Sequence, residues 1–153
     1  MIDLAGEIFD AHNDPEQLDV NGNVIQQLKH LHPATVSEYK DKNGPAVWIL
    51  LIPTTTILMN QFLKKNISEQ QLLDLTPVHS RFQSIYLCSA MVLPEYRGKG
   101  IAKRLTLEAI ESIQKEHDID SLFVWPFSKE GSGLAEGLSK ETGLKLFKRE
   151  LSV

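Results

Sequence analysis

At 153 residues and 17.2 kDa the chain has the length of one domain around one buried core, and a second catalytic domain is not expected. With 42% hydrophobic and 24% charged residues it is neither disordered nor fibrous, and a net charge of -4 excludes a nucleic-acid binder that works by broad phosphate neutralisation. The single cysteine cannot close an internal disulfide, the longest apolar run (Ala46 to Ile52) is far short of a membrane helix, and the first residues lack a signal-peptide pattern. A cytoplasmic protein without membrane or nucleic-acid partners is therefore expected.

In chain order, Ile2, Leu4, Ile8 and Phe9 stand at roughly helical spacing ahead of Pro15 and predict a short helix over residues 2–12. After Asn21-Gly22-Asn23, the residues Val24, Ile25, Leu28 and Leu31 mark a second amphipathic helix that Pro33 ends, and the two helices are expected to bound a substrate cleft. Residues 35–40 and 46–51 flank Asn43-Gly44, a strong hairpin signal, and predict an antiparallel strand pair with Pro45 and Pro53 outside the buried run. Two helical patterns follow, residues 57–63 and 68–75, the second capped by Ser68 with Glu69 and Gln70 in its first turn. They form an insertion spanning about 54–76, which reads either as a lid over an acceptor site or as the cover of a sheet edge.

Residues 84–93 then read as a strand, and residues 100–117 as a long helix with Ile101, Leu105, Ala109 and Ile113 on its buried face. A short strand over residues 121–125 stops at Pro126, a helix over residues 134–140 ends at Thr142-Gly143, and residues 144–151 close the chain as a strand with Leu144, Leu146 and Leu151 inward. No internal repeat interrupts the series.

The stretch Val92-Leu93-Pro94-Glu95-Tyr96-Arg97-Gly98-Lys99-Gly100-Ile101-Ala102 carries the chemistry. An apolar strand runs into a basic glycine loop that opens a helix, and Gly98 and Gly100 let the backbone turn tightly and approach a ligand. The first amides of that helix have no intrahelical acceptor, and the macrodipole makes this end positive. Arg97, Lys99, Lys103 and Arg104 nevertheless crowd it, an unfavourable arrangement unless an external anion such as a pyrophosphate sits among them. A nucleoside triphosphate loop would require Ser or Thr after the lysine, whereas Gly100 follows Lys99.

With Arg97, Gly100 and Ala102 in an RxxGxA pattern, preceded by Val-Leu-Pro-Glu-Tyr, this stretch resembles the coenzyme A signature of the GNAT acyltransferase superfamily. The resemblance implies an α+β (mixed α/β) single domain, a mixed and mostly antiparallel sheet flanked by helices. Residues 1–80 would form its acceptor side and residues 84–151 its coenzyme-binding half. It further implies an N-acyltransferase that moves an acetyl or similar acyl group from acetyl-CoA or a related acyl-CoA to a small-molecule or peptide amine, without a metal. Met91, Val92 and Leu93 would pair with the pantetheine arm, Arg97, Gly98, Lys99, Gly100, Ile101 and Ala102 would hold the pyrophosphate, and Lys103 or Arg104 would approach the 3'-phosphate. A homodimer paired through the C-terminal strand stands open.

Acyl transfer to an amine needs a deprotonated nucleophile, stabilisation of the carbonyl oxygen and a proton for the departing thiolate. The resemblance assigns the oxyanion donor to a backbone N–H near Val92, on a strand that splays from its neighbour over residues 121–125. The family's usual tyrosine acid, four residues before a Gly-Phe pair, falls on Ser139 ahead of Gly143-Leu144; serine is a poor acid and equally a solvated or capping residue. Ser132 stands where an asparagine is common, or else caps the last helix. Tyr86 stands where some relatives carry a glutamate base, and shares one strand face with Ser84, Cys88 and Ala90; it suits proton donation or simple packing. His79 could titrate near neutrality and reach an amine through water, or be a bystander. Cys88 reads as a small buried hydrophobe, Trp48 and Trp125 as core, and His30 and His32 as surface residues without the partners of a metal site. An acyl-CoA sensor that kept the cradle and lost turnover is the competing function.

Overall fold

The Asn21 side chain accepts the Val24 amide at 3.0 Å and so starts helix α1 (Gly22–Leu31), whose Val24, Leu28 and Leu31 are buried. The computed structural model describes residues 21–126 and 128–150; the helix expected over residues 2–12, and Leu151, lie outside the described residues. Strands β1 (Val36–Asp41) and β2 (Gly44–Thr54) form the expected hairpin, turned at Gly44 with φ +113°. Thr35 belongs to a one-turn helix rather than to β1, and Pro45 and Pro53 lie inside β2 near its two ends.

Helices α2 (Thr56–Leu63) and α3 (Glu69–Leu75) make up the insertion. Thr55 caps the first, and Ser68 and Gln71 form a reciprocal capping box at the second. A 2.7 Å hydrogen bond between the Thr54 and Thr76 hydroxyls closes the base of the excursion. The insertion covers a sheet face and not an edge: the Phe62 ring lies 4.8 Å from that of Tyr86 and 5.9 Å from that of Phe123, both on central strands.

Strand β3 (Ser84–Val92) is buried along its whole length, with β2 beside it throughout. Helix α4 (Ile101–Gln114), strand β4 (Ser121–Val124), helix α5 (Lys129–Thr142) and strand β5 (Lys145–Lys148) complete the order. The five strands lie in sequence order, β1-β2-β3-β4-β5; the first two pairings are antiparallel, the last two parallel. This is the mixed α/β architecture expected, with parallel and antiparallel pairings equally represented.

Several details differ from the sequence expectation. The buried face of α4 is Ile101, Thr106, Ala109, Ile110 and Ile113, with Leu105 half-buried. Helix α5 begins five residues earlier than the apolar pattern indicates, because Ser128 accepts the Gly131 amide at 3.0 Å and Glu130 sits favourably in the first turn of a segment rich in Gly and Ser. Ser132 therefore lies inside α5, where its hydroxyl accepts a hydrogen bond from the Lys148 ammonium, and Ser128 is the cap. Leu144, which precedes β5, and Leu146 within it are only half-buried, and the buried side chain at that end is Arg149.

His32 is buried rather than on the surface. Its Nδ1 accepts the Ala34 amide at 3.0 Å, which leaves the proton on Nε2 to meet the Glu116 carboxylate at 2.8 Å. Nearby, His117 Nδ1 accepts the Phe82 amide at 3.3 Å beneath the Phe82 ring. Burial, and then the proximity of His32, lower the proton affinity of His117 below the ordinary value of 6.5. The unfolded chain thus binds more protons than the folded one as the pH falls. The stability contributed by the neutral ring is complete above pH 6.5 and is lost as the pH drops through the lower folded value. Urea unfolding between pH 7.5 and 5 should show a steeper acid loss in the wild type than in His117→Asn, which keeps an acceptor without a titrating ring; equal slopes would remove His117 from this account.

Candidate active site

The parallel strands β3 and β4 are paired only from Ser84–Ser121 to Leu87–Val124. Beyond that point β3 runs on to Val92, held to β2 and continued by the Leu93 amide on the Ala46 carbonyl at 2.9 Å, while the chain after β4 turns away at Trp125-Pro126. A fork opens between the two strands toward their C-terminal ends, the side on which parallel α/β layers bind ligands. The glycine loop after β3 and the N-terminus of α5 after β4 stand together at its mouth.

The loop owes its shape to a one-turn helix, Pro94–Tyr96, followed by Gly98 at φ +77° and Gly100 at φ +74°. Only glycine adopts this left-handed backbone without strain. A Cβ built on either glycine meets nothing within 4 Å, so open space lies directly before both. Gly100 is the N-cap of α4, with no capping side chain and no acid in the first turn. The first intrahelical bond is the Arg104 amide to the Gly100 carbonyl at 3.0 Å, leaving the amides of residues 101–103 ahead of it. Arg97 folds back to donate its Nε to the Val92 carbonyl at 3.3 Å, and the Lys99 ammonium sits 5.7 Å from the Tyr96 ring centroid. Lys103 reaches across to Glu141 on α5 at 3.2 Å.

A cavity of about 500 Å³ lies against this loop. Val92, Tyr96, Arg97, Gly98, Gly100, Ile101, Ala102 and Lys103 line one side, and Ser128, Glu130 and Leu134 line the other. Seven of the sequence-selected residues thus converge on one space; Met91, Leu93, Lys99 and Arg104 are not among its lining residues. The sequence reading missed Ser128, Glu130 and Leu134 as wall residues. Their signal was the junction after β4: the C-terminal ends of adjacent parallel strands face the same crevice, so the segment after Trp125-Pro126 belongs beside the segment after Val92. Glycines with open space before them, free helix-end amides and a cation-rich wall fit a diphosphate.

Tyr86, Ser139 and His79 are placed away from the cavity lining. The Tyr86 hydroxyl is buried and donates to the Glu69 carboxylate of α3, and burial followed by the Glu69 charge raises its proton affinity well above that of an ordinary phenol. Ser139 donates its hydroxyl to the Leu144 carbonyl at 2.6 Å, closing the turn from α5 into β5. His79 is exposed in the turn after α3. Among the described residues no cluster of three or more His, Cys, Asp or Glu side chains assembles, and no helix is long and apolar enough to cross a membrane.

Residues 72–130, from within α3 through the fork and the glycine loop to the first turn of α5, match the acetyltransferase (GNAT) family. Over that stretch the chain is similar to the GNAT family. No curated protein matches it in sequence. The matched stretch contains both sides of the fork and most of the cavity wall, so the similarity to an acyltransferase family lies in the part of the chain that forms the cavity. The insertion helix α2 lies outside the match.

Proposed function

We propose that this protein is a GNAT-type N-acyltransferase that moves a short acyl group, acetyl above all, from acyl-CoA to an amine. The observation that carries the reading is the pair Gly98 and Gly100, both left-handed with open space before them, at the start of α4 and beside the mouth of the β3–β4 fork. In this reading the amides of residues 98–103 and the Arg97 and Lys103 side chains hold the diphosphate, with Ile101, Ala102 and Leu134 against the apolar part of the arm. Acyl-CoA, when bound, supplies the activated thioester carbonyl. Since the Leu93 amide is committed to β2, strand alternation turns the Val92 amide toward the fork, where it suits an oxyanion donor.

The three acid-base candidates have unequal places in this scheme. Tyr86, held protonated and tied to Glu69, suits donation rather than removal of a proton. His79, exposed and on the insertion side, suits proton removal through water. The Ser139 hydroxyl is committed to the Leu144 carbonyl, which favours the second reading, an acyl-CoA sensor with weak turnover. Incubating a panel of amines with acetyl-CoA and reading free thiol separates the two. Thiol release above the amine-free blank supports the enzyme, whereas saturable CoA binding with no release supports the sensor.

A further inference from the structure

The β3–β4 fork closes where the two strands begin to pair, and a side chain of the insertion packs over one face at that point. The last paired residues are Leu87 and Val124. By alternation, Tyr86 and Cys88 on β3, with Phe123 and Trp125 on and just after β4, share one face around that point, and all four are buried. The fully buried Phe62 ring of α2 covers them, its centroid 4.8 Å from Tyr86, 5.9 Å from Phe123 and 6.0 Å from Trp125. Behind it, the Arg149 guanidinium lies 4.5 Å from the Phe62 ring and 4.2 Å from the Trp125 ring, and donates to the Ile67 carbonyl at 3.0 Å. Phe62 is thereby fixed from both sides, by the strand aromatics and by a cation held to the α2–α3 connection.

We propose that Phe62 sets the length of the acyl group, admitting acetyl and rejecting longer chains. The inference rests on reading the chain as an acyl-CoA enzyme and adds the class of donor. A chain that enters the fork from its mouth meets packed rings at the closed end instead of a tunnel. In an interior packed to crystal density, each further methylene must displace a ring that Arg149 and Trp125 hold in place. Donor selection would then reside in an insertion residue outside the glycine loop and outside the family match, whereas the loop sees only the part common to all acyl-CoA molecules.

Titration calorimetry with CoA, acetyl-CoA and hexanoyl-CoA tests this without turnover. The wild type should bind acetyl-CoA about as tightly as CoA and hexanoyl-CoA at least about 10-fold more weakly, the lower end of the discrimination that an apolar pocket achieves per methylene. Phe62→Leu should narrow that gap to less than about threefold while CoA affinity, which reports an intact fold and cradle, stays the same. Phe62→Met, which keeps more of the side-chain volume, gives the same comparison if the leucine variant is too unstable to titrate. Equal wild-type affinity for the two thioesters, or an unchanged gap in the variants, overturns the role of Phe62 while intact CoA binding leaves the cradle standing. Failure of the wild type to bind any of the three overturns the cradle reading together with this one.

Discussion

Gly100→Val is expected to lower CoA affinity by at least about 100-fold, a loss of roughly 2.7 kcal/mol. Two effects act together. The native φ of +74° is left-handed, and a β-branched residue there pays about 1–2 kcal/mol of backbone strain that relaxation of the loop would relieve only by moving its amides. The new side chain would also fill the open space before the loop, the path by which a diphosphate approaches. Because a Cβ at this position meets no protein atom within 4 Å, the fold itself should survive. Calorimetry with CoA, alongside circular dichroism, checks both halves of the expectation. Gly133→Ala, in the exposed part of α5 with no positive φ, is the matched control and should leave affinity unchanged. Unaltered CoA affinity in Gly100→Val would remove the cradle from the account.

Tyr86→Phe is expected to cost about 1.5–3 kcal/mol of stability, the range for a hydrogen bond to a charged group, because it leaves the buried Glu69 carboxylate without the phenol that now donates to it. The ring contacts to Phe62 and Phe123 would persist, so the loss belongs to the hydroxyl rather than to packing. Denaturant unfolding of both proteins reads the difference. Because the hydroxyl is tied to Glu69 and Tyr86 is not among the cavity's lining residues, acyl transfer at a temperature where both remain folded should proceed at a similar rate, which would set Tyr86 aside as the proton donor. A large fall in rate with unchanged stability would instead make Tyr86 a proton donor to the reaction, and its hydrogen bond to Glu69 a resting arrangement.

The elements of this fold were legible where local chemistry was strong. Asn43-Gly44 placed the hairpin, Ser68 placed the start of α3, and Gly100 placed the start of α4 within a residue. The cradle was legible for the same reason, since cations gathered at a positive helix end conflict with local electrostatics and point outside the chain for their resolution. Where tertiary contacts decide, the sequence was silent. Nothing local distinguished the buried His32, tied to Glu116 from 84 positions away, from an exposed histidine at a helix end. No local pattern marked Arg149, whose guanidinium lies against the Phe62 and Trp125 rings. The Tyr86–Glu69 pair joins a strand to an insertion helix, and neither residue's spacing encodes the other.

The central claim is that the backbone amides after Arg97 and the first turn of α4 grip a diphosphate. A crystal structure of the chain with CoA tests it most directly. The account predicts the two phosphates within hydrogen-bond distance of amides among residues 98–103, with the pantetheine arm running into the fork between β3 and β4. CoA seated elsewhere, or a glycine loop that stays clear of it, would contradict the account.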